Sequence, residues 1–260
     1  MKKIVLGSAF LALSAFSTGC IISSGDDGSG SGVDDPQGLI DVSWKIRTTA
    51  SQADLGCPTG VTTVAFHVQP VDDNNNDTGS EQIDLFNCTD GHGTAGETDV
   101  DAPDALPFGF YRTFAVFSST GGAQKYAETP QWPDGLADDE REDIADASTP
   151  AHASKSYDVF TDGGYFSLGW SFAGGATCTS AQSDGVSAIA TVSGGSAAAD
   201  EVFHCTAGFG ISGGYGAGNY TAAVTALDGN VGIGTPKTKT FSIATQNAVT
   251  DLGDVVLDAN

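Results

Sequence analysis

Apolar residues recur with a period of two along much of this chain. Val64, Phe66 and Val68 alternate with Ala65, His67 and Gln69, and Tyr220, Ala222, Val224 and Ala226 repeat the pattern further on. That period places alternate side chains on opposite faces of a strand, so both stretches read as strands with one buried face. Ser242-Ile243 and Leu252 to Leu257 read as closing strands. Asp162-Gly163-Gly164 and Asp228-Gly229-Asn230 supply turn chemistry between such runs.

The pattern occurs twice. The first copy runs Trp44, Cys57, Gly60-Val61, Phe86-Asn87-Cys88 and Gly109-Phe110-Tyr111. The second runs Trp170, Cys178, Gly185-Val186, Phe203-His204-Cys205 and Gly218-Asn219-Tyr220. Five ordered matches mark an internal duplication. Four cysteines allow three pairings, and the repeat selects Cys57 with Cys88 and Cys178 with Cys205, one disulfide inside each copy. The equivalent Trp44 and Trp170 read as side chains packed on those disulfides, and Tyr111 and Tyr220 as tyrosine corners. Tyr165 to Phe172 ends one copy and begins the next with almost no linker, which predicts a stiff tandem.

The fifth cysteine explains the odd count. Lys2 and Lys3 precede an apolar stretch of 13 residues from Ile4 to Phe16, too short to span a bilayer and suited to an export signal. It ends at Ser17-Thr18-Gly19-Cys20, which resembles the lipobox of bacterial lipoproteins, with Ser17 where Leu is usual. The resemblance implies that Cys20 is lipidated and becomes the new N-terminus. The Gly/Ser/Asp run from Ser23 to Pro36 has nothing to bury and reads as a flexible tether about 20 to 25 Å in reach.

Composition sharpens this picture. The chain has 260 residues and 35 glycines, with 10 Lys and Arg against 33 Asp and Glu, a net charge of −23. Glycine-rich turns suit strands. The acidity excludes nucleic-acid binding by counterion release and docking to anionic lipid through a basic face.

The pattern of a Trp strand, a disulfide and Leu106-Pro107-Phe108-Gly109-Phe110-Tyr111 before an alternating strand resembles Ig-like and carboxypeptidase-regulatory-like (transthyretin-type) modules, which sit in tandem in lipoproteins of the myxobacterial type. The resemblance covers residues 38 to 260 and implies an all-β fold of two tandem β-sandwich domains and a surface address. It implies no activity. The expected organisation is a signal over 1–19, lipidated Cys20 and tether over 20–37, a first sandwich over 38–164 with an acidic insertion at 130–147, and a second sandwich over 165–260.

Catalytic motifs match only by accident. Gly210-Ile211-Ser212-Gly213-Gly214 fits a nucleophile elbow, but His67, His92, His152 and His204 all precede Ser212, whereas that motif takes its His later. Gly208 to Gly213 fits a dinucleotide fingerprint, but the residues after it cannot begin a helix. A glycine-rich hairpin loop accounts for both. No two histidines share a zinc spacing.

Two features of the first copy carry chemical content. Asp73, Asn75, Asp77, the Gly79 carbonyl and Asp84 resemble the ligand spacing of a calcium loop, with Thr78 where the turn favours Gly and Asp84 where Glu is usual. The other reading is a solvated Asn/Asp hairpin loop. The insertion carries Trp132, which has no counterpart in the second copy, and Asp138 to Asp143, which reads as a short acidic helix or as disordered chain. Trp132 is either an aromatic platform for a glycan or protein partner or a pin holding the insertion to the sandwich.

The sequence thus points to a non-enzymatic, exported, lipid-anchored envelope protein, at the outer membrane, whose membrane contact is its N-terminal lipid. Its modules bind, adhere or space, with an envelope protein or glycan as ligand and no resident cofactor. The alternative is a calcium-dependent envelope enzyme or accessory subunit.

Overall fold

The computed structural model describes residues 37–96, 106–133, 135–136, 141–144, 151–195 and 197–259. The signal segment, Cys20, the tether before residue 37 and the middle of the acidic insertion lie outside these residues. Among the described residues, no helix is long and apolar enough to cross a membrane.

The chain forms two successive all-β halves. The first contains β1 (Gln37–Arg47), β2 (Thr63–Val71), β3 (Gln82–Asn87), β4 (His92–Ala95), β5 (Leu106–Pro107), β6 (Gly109–Ser118), β7 (Lys125–Glu128), β8 (Glu142–Ile144) and β9 (Ala151–Phe160). The second contains β10 (Gly163–Phe172), a single helical turn α1 (Cys178–Ala181), β11 (Gly185–Val192), β12 (Ala197–His204), β13 (Phe209–Ile211), β14 (Tyr215–Gly216), β15 (Gly218–Asp228), β16 (Val231–Ile243) and β17 (Ala248–Leu257).

Each half is a β-sandwich, and the two share one topology. In the first half β1 is flanked by β4 and β5 on one side and by β9 on the other, while the facing sheet runs β3-β2-β6 with β7 and β8 both on β6. In the second, β13 and β14 flank β10 opposite β17, and the facing sheet runs β12-β11-β15-β16. The expected alternation is what fills the cores. Ile40, Val42, Trp44 and Ile46 of β1 meet Val64, Phe66 and Val68 of β2, and Phe166, Leu168, Trp170 and Phe172 meet Val186, Ala188, Val224 and Ala226.

The repeat's structural residues take equivalent roles. Cys57 bonds Cys88 and Cys178 bonds Cys205, closing separations of 31 and 27 residues. Loops of that size contribute about 3 to 4 kcal/mol each through chain entropy. The indole Nε1 of Trp44 donates to the Cys88 carbonyl at 3.0 Å, and that of Trp170 to Cys205 at 3.0 Å. Each phenol also reaches back four residues, from Tyr111 to the Pro107 carbonyl at 2.6 Å and from Tyr220 to Gly216 at 2.8 Å.

Three sequence expectations are corrected. The residues Glu142 to Ile144 are not in an acidic helix: they form β8 and pair with Gly109 to Tyr111, because Ile144 fills the core. Gly163 and Gly164 open strand β10 rather than a turn. A Cβ on either would lie about 2 Å from the Tyr215 or Ala248 carbonyl oxygen, so glycine is required there by close strand approach. The stretch from Gly208 to Gly218 is not a hairpin, since β13 and β14 both pair with β10 instead of with each other. Ser212 within it is buried; its hydroxyl accepts from the Phe166 N–H and donates to the Gly213 carbonyl.

Candidate functional site

The halves differ most at one sheet edge. In the second half β16 runs as a continuous strand of 13 residues along β15. In the first, that role is divided: β7 pairs with Val116 to Ser118 and β8 with Gly109 to Tyr111. Between them, Arg112 to Phe114 are bordered by the irregular chain around residues 129–133. The insertion is therefore an excursion out of an edge strand, and a cleft of about 220 Å³ opens beside it.

Four parts of the chain line this cleft. Arg112 and Thr113 come from β6, Pro130 and Trp132 from the insertion, Lys155 to Asp158 from β9, and Tyr165 and Ile211 from the second half. Trp132 is half-buried and meets the ring of Phe209 edge-on, centroids 5.3 Å apart. It thus pins the insertion to the second sandwich, not only to its own. Its indole N–H is buried and makes no hydrogen bond. The Tyr157 hydroxyl lies 2.8 Å from that of Thr113. Tyr165 donates to the Asp158 carbonyl at 2.8 Å, and burial, then the Asp158 carboxylate, raise its phenol above the ordinary range. Arg112 lies 2.6 Å from Asp77, and Lys155 lies 3.4 Å from Glu142.

The Asn/Asp loop is the bed on which the insertion rests. Asn75, and not Thr78, takes the left-handed conformation (φ 62°), which Asn tolerates well. It is fully buried; its amide donates to the Pro133 carbonyl, and its own carbonyl accepts from the Gly135 N–H. Arg141 donates to the Asp72 and Asp73 carbonyls while its guanidinium covers the Phe110 ring at 3.9 Å. Asp72 organises the turn by accepting from the backbone N–H groups of Asn74 and Asn76 and from the Asn76 amide. The Asn76 contacts hold its carboxyl below the usual range.

The five residues of the calcium spacing are not gathered around one point. Asp77 bridges to Val71, whereas Asp84 lies opposite Phe66, five strand positions away. At about 3.4 Å per residue that is roughly 17 Å. The Asp77 carboxylate faces Arg112, the Gly79 carbonyl accepts from Gln69, and the Asp84 carboxylate accepts from Gln82. Among the described residues no group of three or more His, Cys, Asp or Glu side chains is placed to hold a metal ion.

Of the cleft residues, only Trp132 stands out in the sequence. Arg112, Lys155, Tyr157, Asp158 and Tyr165 do not, because they come from separate strands. The available signal was scarcity: with so few basic residues in the chain, two at one cleft is a concentration.

No protein-family model and no curated protein sequence matches the chain. The solved structures it resembles are bacterial adhesin- and pilin-type β-sandwich proteins. The Bacillus anthracis TIE protein matches at 12% identity and a TM-score of 0.29, over 86% of this chain and 34% of that one. The pilus adhesin SpaC of Lactobacillus rhamnosus GG matches at 13% identity and a TM-score of 0.24, over 80% and 26%. The chain thus spans about a third of the first and a quarter of the second. A minor pilin of Streptococcus agalactiae matches at 11% identity and a TM-score of 0.26, over 85% and 97%.

Proposed function

We propose that this is a non-enzymatic cell-surface binding protein that holds a polar, glycan-type ligand in the cleft beside the insertion. The observation that carries the reading is Trp132: an aromatic ring at the cleft wall whose buried N–H makes no hydrogen bond, among the hydroxyls of Thr113, Ser156 and Tyr157 and the cations Arg112 and Lys155. A sugar offers apolar C–H faces to rings and hydroxyl oxygens to donors of this kind. Export and anchoring through Cys20 complete the proposal. They are supported by Lys2 and Lys3, the short apolar stretch, the lipobox-like Ser17 to Cys20 and the polar run behind them.

The binding test is titration of the protein with neutral and acidic envelope oligosaccharides, read by isothermal titration calorimetry. Saturable binding that is lost in Trp132→Ala, without turnover of the sugar, is expected. Absence of binding, or equal binding by Trp132→Ala, overturns the cleft assignment. Labelling with a radioactive fatty acid, lost in Cys20→Ser, tests the anchor separately.

A further inference from the structure

The first and last strands of each half lie side by side and run parallel. β1 and β9 stay in register without a break from Gly38 opposite Ala151 to Arg47 opposite Phe160. The chain enters this ladder at the N-terminal end of β1 and leaves it at the C-terminal end of β9. Those two points lie at opposite ends of the ladder, about 30 Å apart at the usual rise per strand residue. Tension along the chain therefore slides β1 lengthwise against β9, and the evenly spaced hydrogen bonds of a parallel pair are strained together. Had the strands been antiparallel neighbours, the same pull would peel them apart one bond at a time.

The second half repeats the arrangement with a flaw. β10 and β17 run parallel from Gly164 opposite Ala248 to Phe172 opposite Leu257, but their register shifts between Ser167 and Gly169. Leu252 and Gly253 (φ 65°) stand against Leu168 alone, and that one extra residue causes the shift. The long ladder is thus split into two short ones. Among the described residues, side chains also staple the first ladder and not the second. Asp41 meets His152, the Ser43 hydroxyl donates to Ser156, and Arg47 grips Asp158. Neither disulfide bypasses a ladder, since Cys57–Cys88 and Cys178–Cys205 join loops that lie beyond the ends of β1 and β10.

We infer that β1–β9 and β10–β17 are mechanical clamps, so that the protein resists stretching between its ends and its second half yields first. This role goes beyond ligand binding and stands whatever the cleft holds.

Single-molecule force spectroscopy on the full chain tests it. One set of molecules is pulled by the two chain ends. A second is pulled between the N-terminal end and a handle on Ser154→Cys, an exposed position beside Asp41 near the start of β9, which turns sliding into peeling. Unfolding rates under force set the rupture force, so at one loading rate the first half is expected to need at least about twofold more force pulled end to end than peeled. The halves are told apart by released length, because 31 residues stay locked behind one disulfide and 27 behind the other. Equal forces in the two geometries overturn the clamp, and earlier rupture of the first half overturns the assignment of the weaker one.

Discussion

Arg47 and Asp158 form a two-pronged ion pair across the parallel strands, with Nε and Nη2 of the guanidinium each 2.6 Å from one carboxylate oxygen. The same guanidinium lies 4.7 Å from the Phe160 ring centroid, and its hydrogen bond to Asp158 holds it firmly protonated. Arg47 is 8% exposed, although Asp158 remains open to solvent, which screens the pair. Replacement by Ala is therefore expected to cost about 1 to 3 kcal/mol, from the charged hydrogen bonds and the ring contact together. Arg47→Lys keeps the charge without the fork, so its urea midpoint should fall between those of wild type and Arg47→Ala. Three equal midpoints would show that the pair adds nothing.

Asn247 joins the halves. It is 1% exposed, accepts the Phe160 N–H on its side-chain oxygen and donates from its amide to the Glu128 carbonyl, both at 2.8 Å. Its backbone is left-handed, at φ 56°. Two substitutions separate these roles. Asn247→Ala loses both hydrogen bonds and also forces Ala into an unfavourable conformation, for about 2 to 4 kcal/mol in all. Asn247→Gly loses the bonds but relieves the backbone, so it should be about 1 kcal/mol less damaging. In calorimetry the Ala variant is expected to separate the melting of the two halves. A single unshifted transition would show that the halves are coupled elsewhere.

The parts visible in the sequence are those fixed by local periodicity or by the repeat: the alternation on β2 and β15, the two Trp–disulfide units and the two tyrosine corners. Each involves residues close in sequence or matched between copies. What eludes a linear reading depends on residues brought together from afar. Glycine at 163 and 164 looks like turn chemistry, because a turn and a tight strand approach ask for the same missing side chain. The Asn/Asp loop has the composition of a cation site, yet its Asp77 carboxylate is taken by Arg112 and its Asp72, Asp73 and Asn75 backbone carbonyls by Arg141 and the insertion. Nothing near residues 72–77 announces that a segment some sixty positions later will rest on them.

Alkaline pH should unfold the protein in a defined window. Burial pushes the Tyr111 phenol up to about 12 and also raises Tyr126, Tyr165, Tyr215 and Tyr220 above their ordinary value. An unfolded tyrosine ionises near about 10. Between those values the unfolded chain releases protons that the folded chain retains, so stability must fall as pH rises. The contribution is complete below pH of about 10 and is lost progressively towards about 12. Urea midpoints measured across this range should decline, and Tyr111→Phe should flatten the decline. A flat profile in the wild type would mean that the phenols ionise without unfolding.

The insertion makes the sharpest comparison between the copies, because the second half shows what its edge would be without it. Thr129 hydrogen-bonds Ala115, and Glu142 lies opposite Tyr111, so only Arg112, Thr113 and Phe114 lie between the ends of β7 and β8. Replacing residues 130–141 with three strand-forming residues, such as Thr-Val-Thr, should therefore join β7 to β8 in the manner of β16. The insertion also carries a cost, since the Trp132 N–H and the Asn75 side-chain oxygen that it helps to bury make no hydrogen bond. Buried polar groups left in that state cost about 1 to 3 kcal/mol each. The shortened protein should thus fold with equal or greater thermal stability while losing the cleft and, with it, the glycan binding proposed for it. An edge segment retained at the expense of stability is expected of a binding element. If the shortened chain instead fails to fold, the insertion belongs to the framework of the first sandwich, and Trp132 serves packing alone.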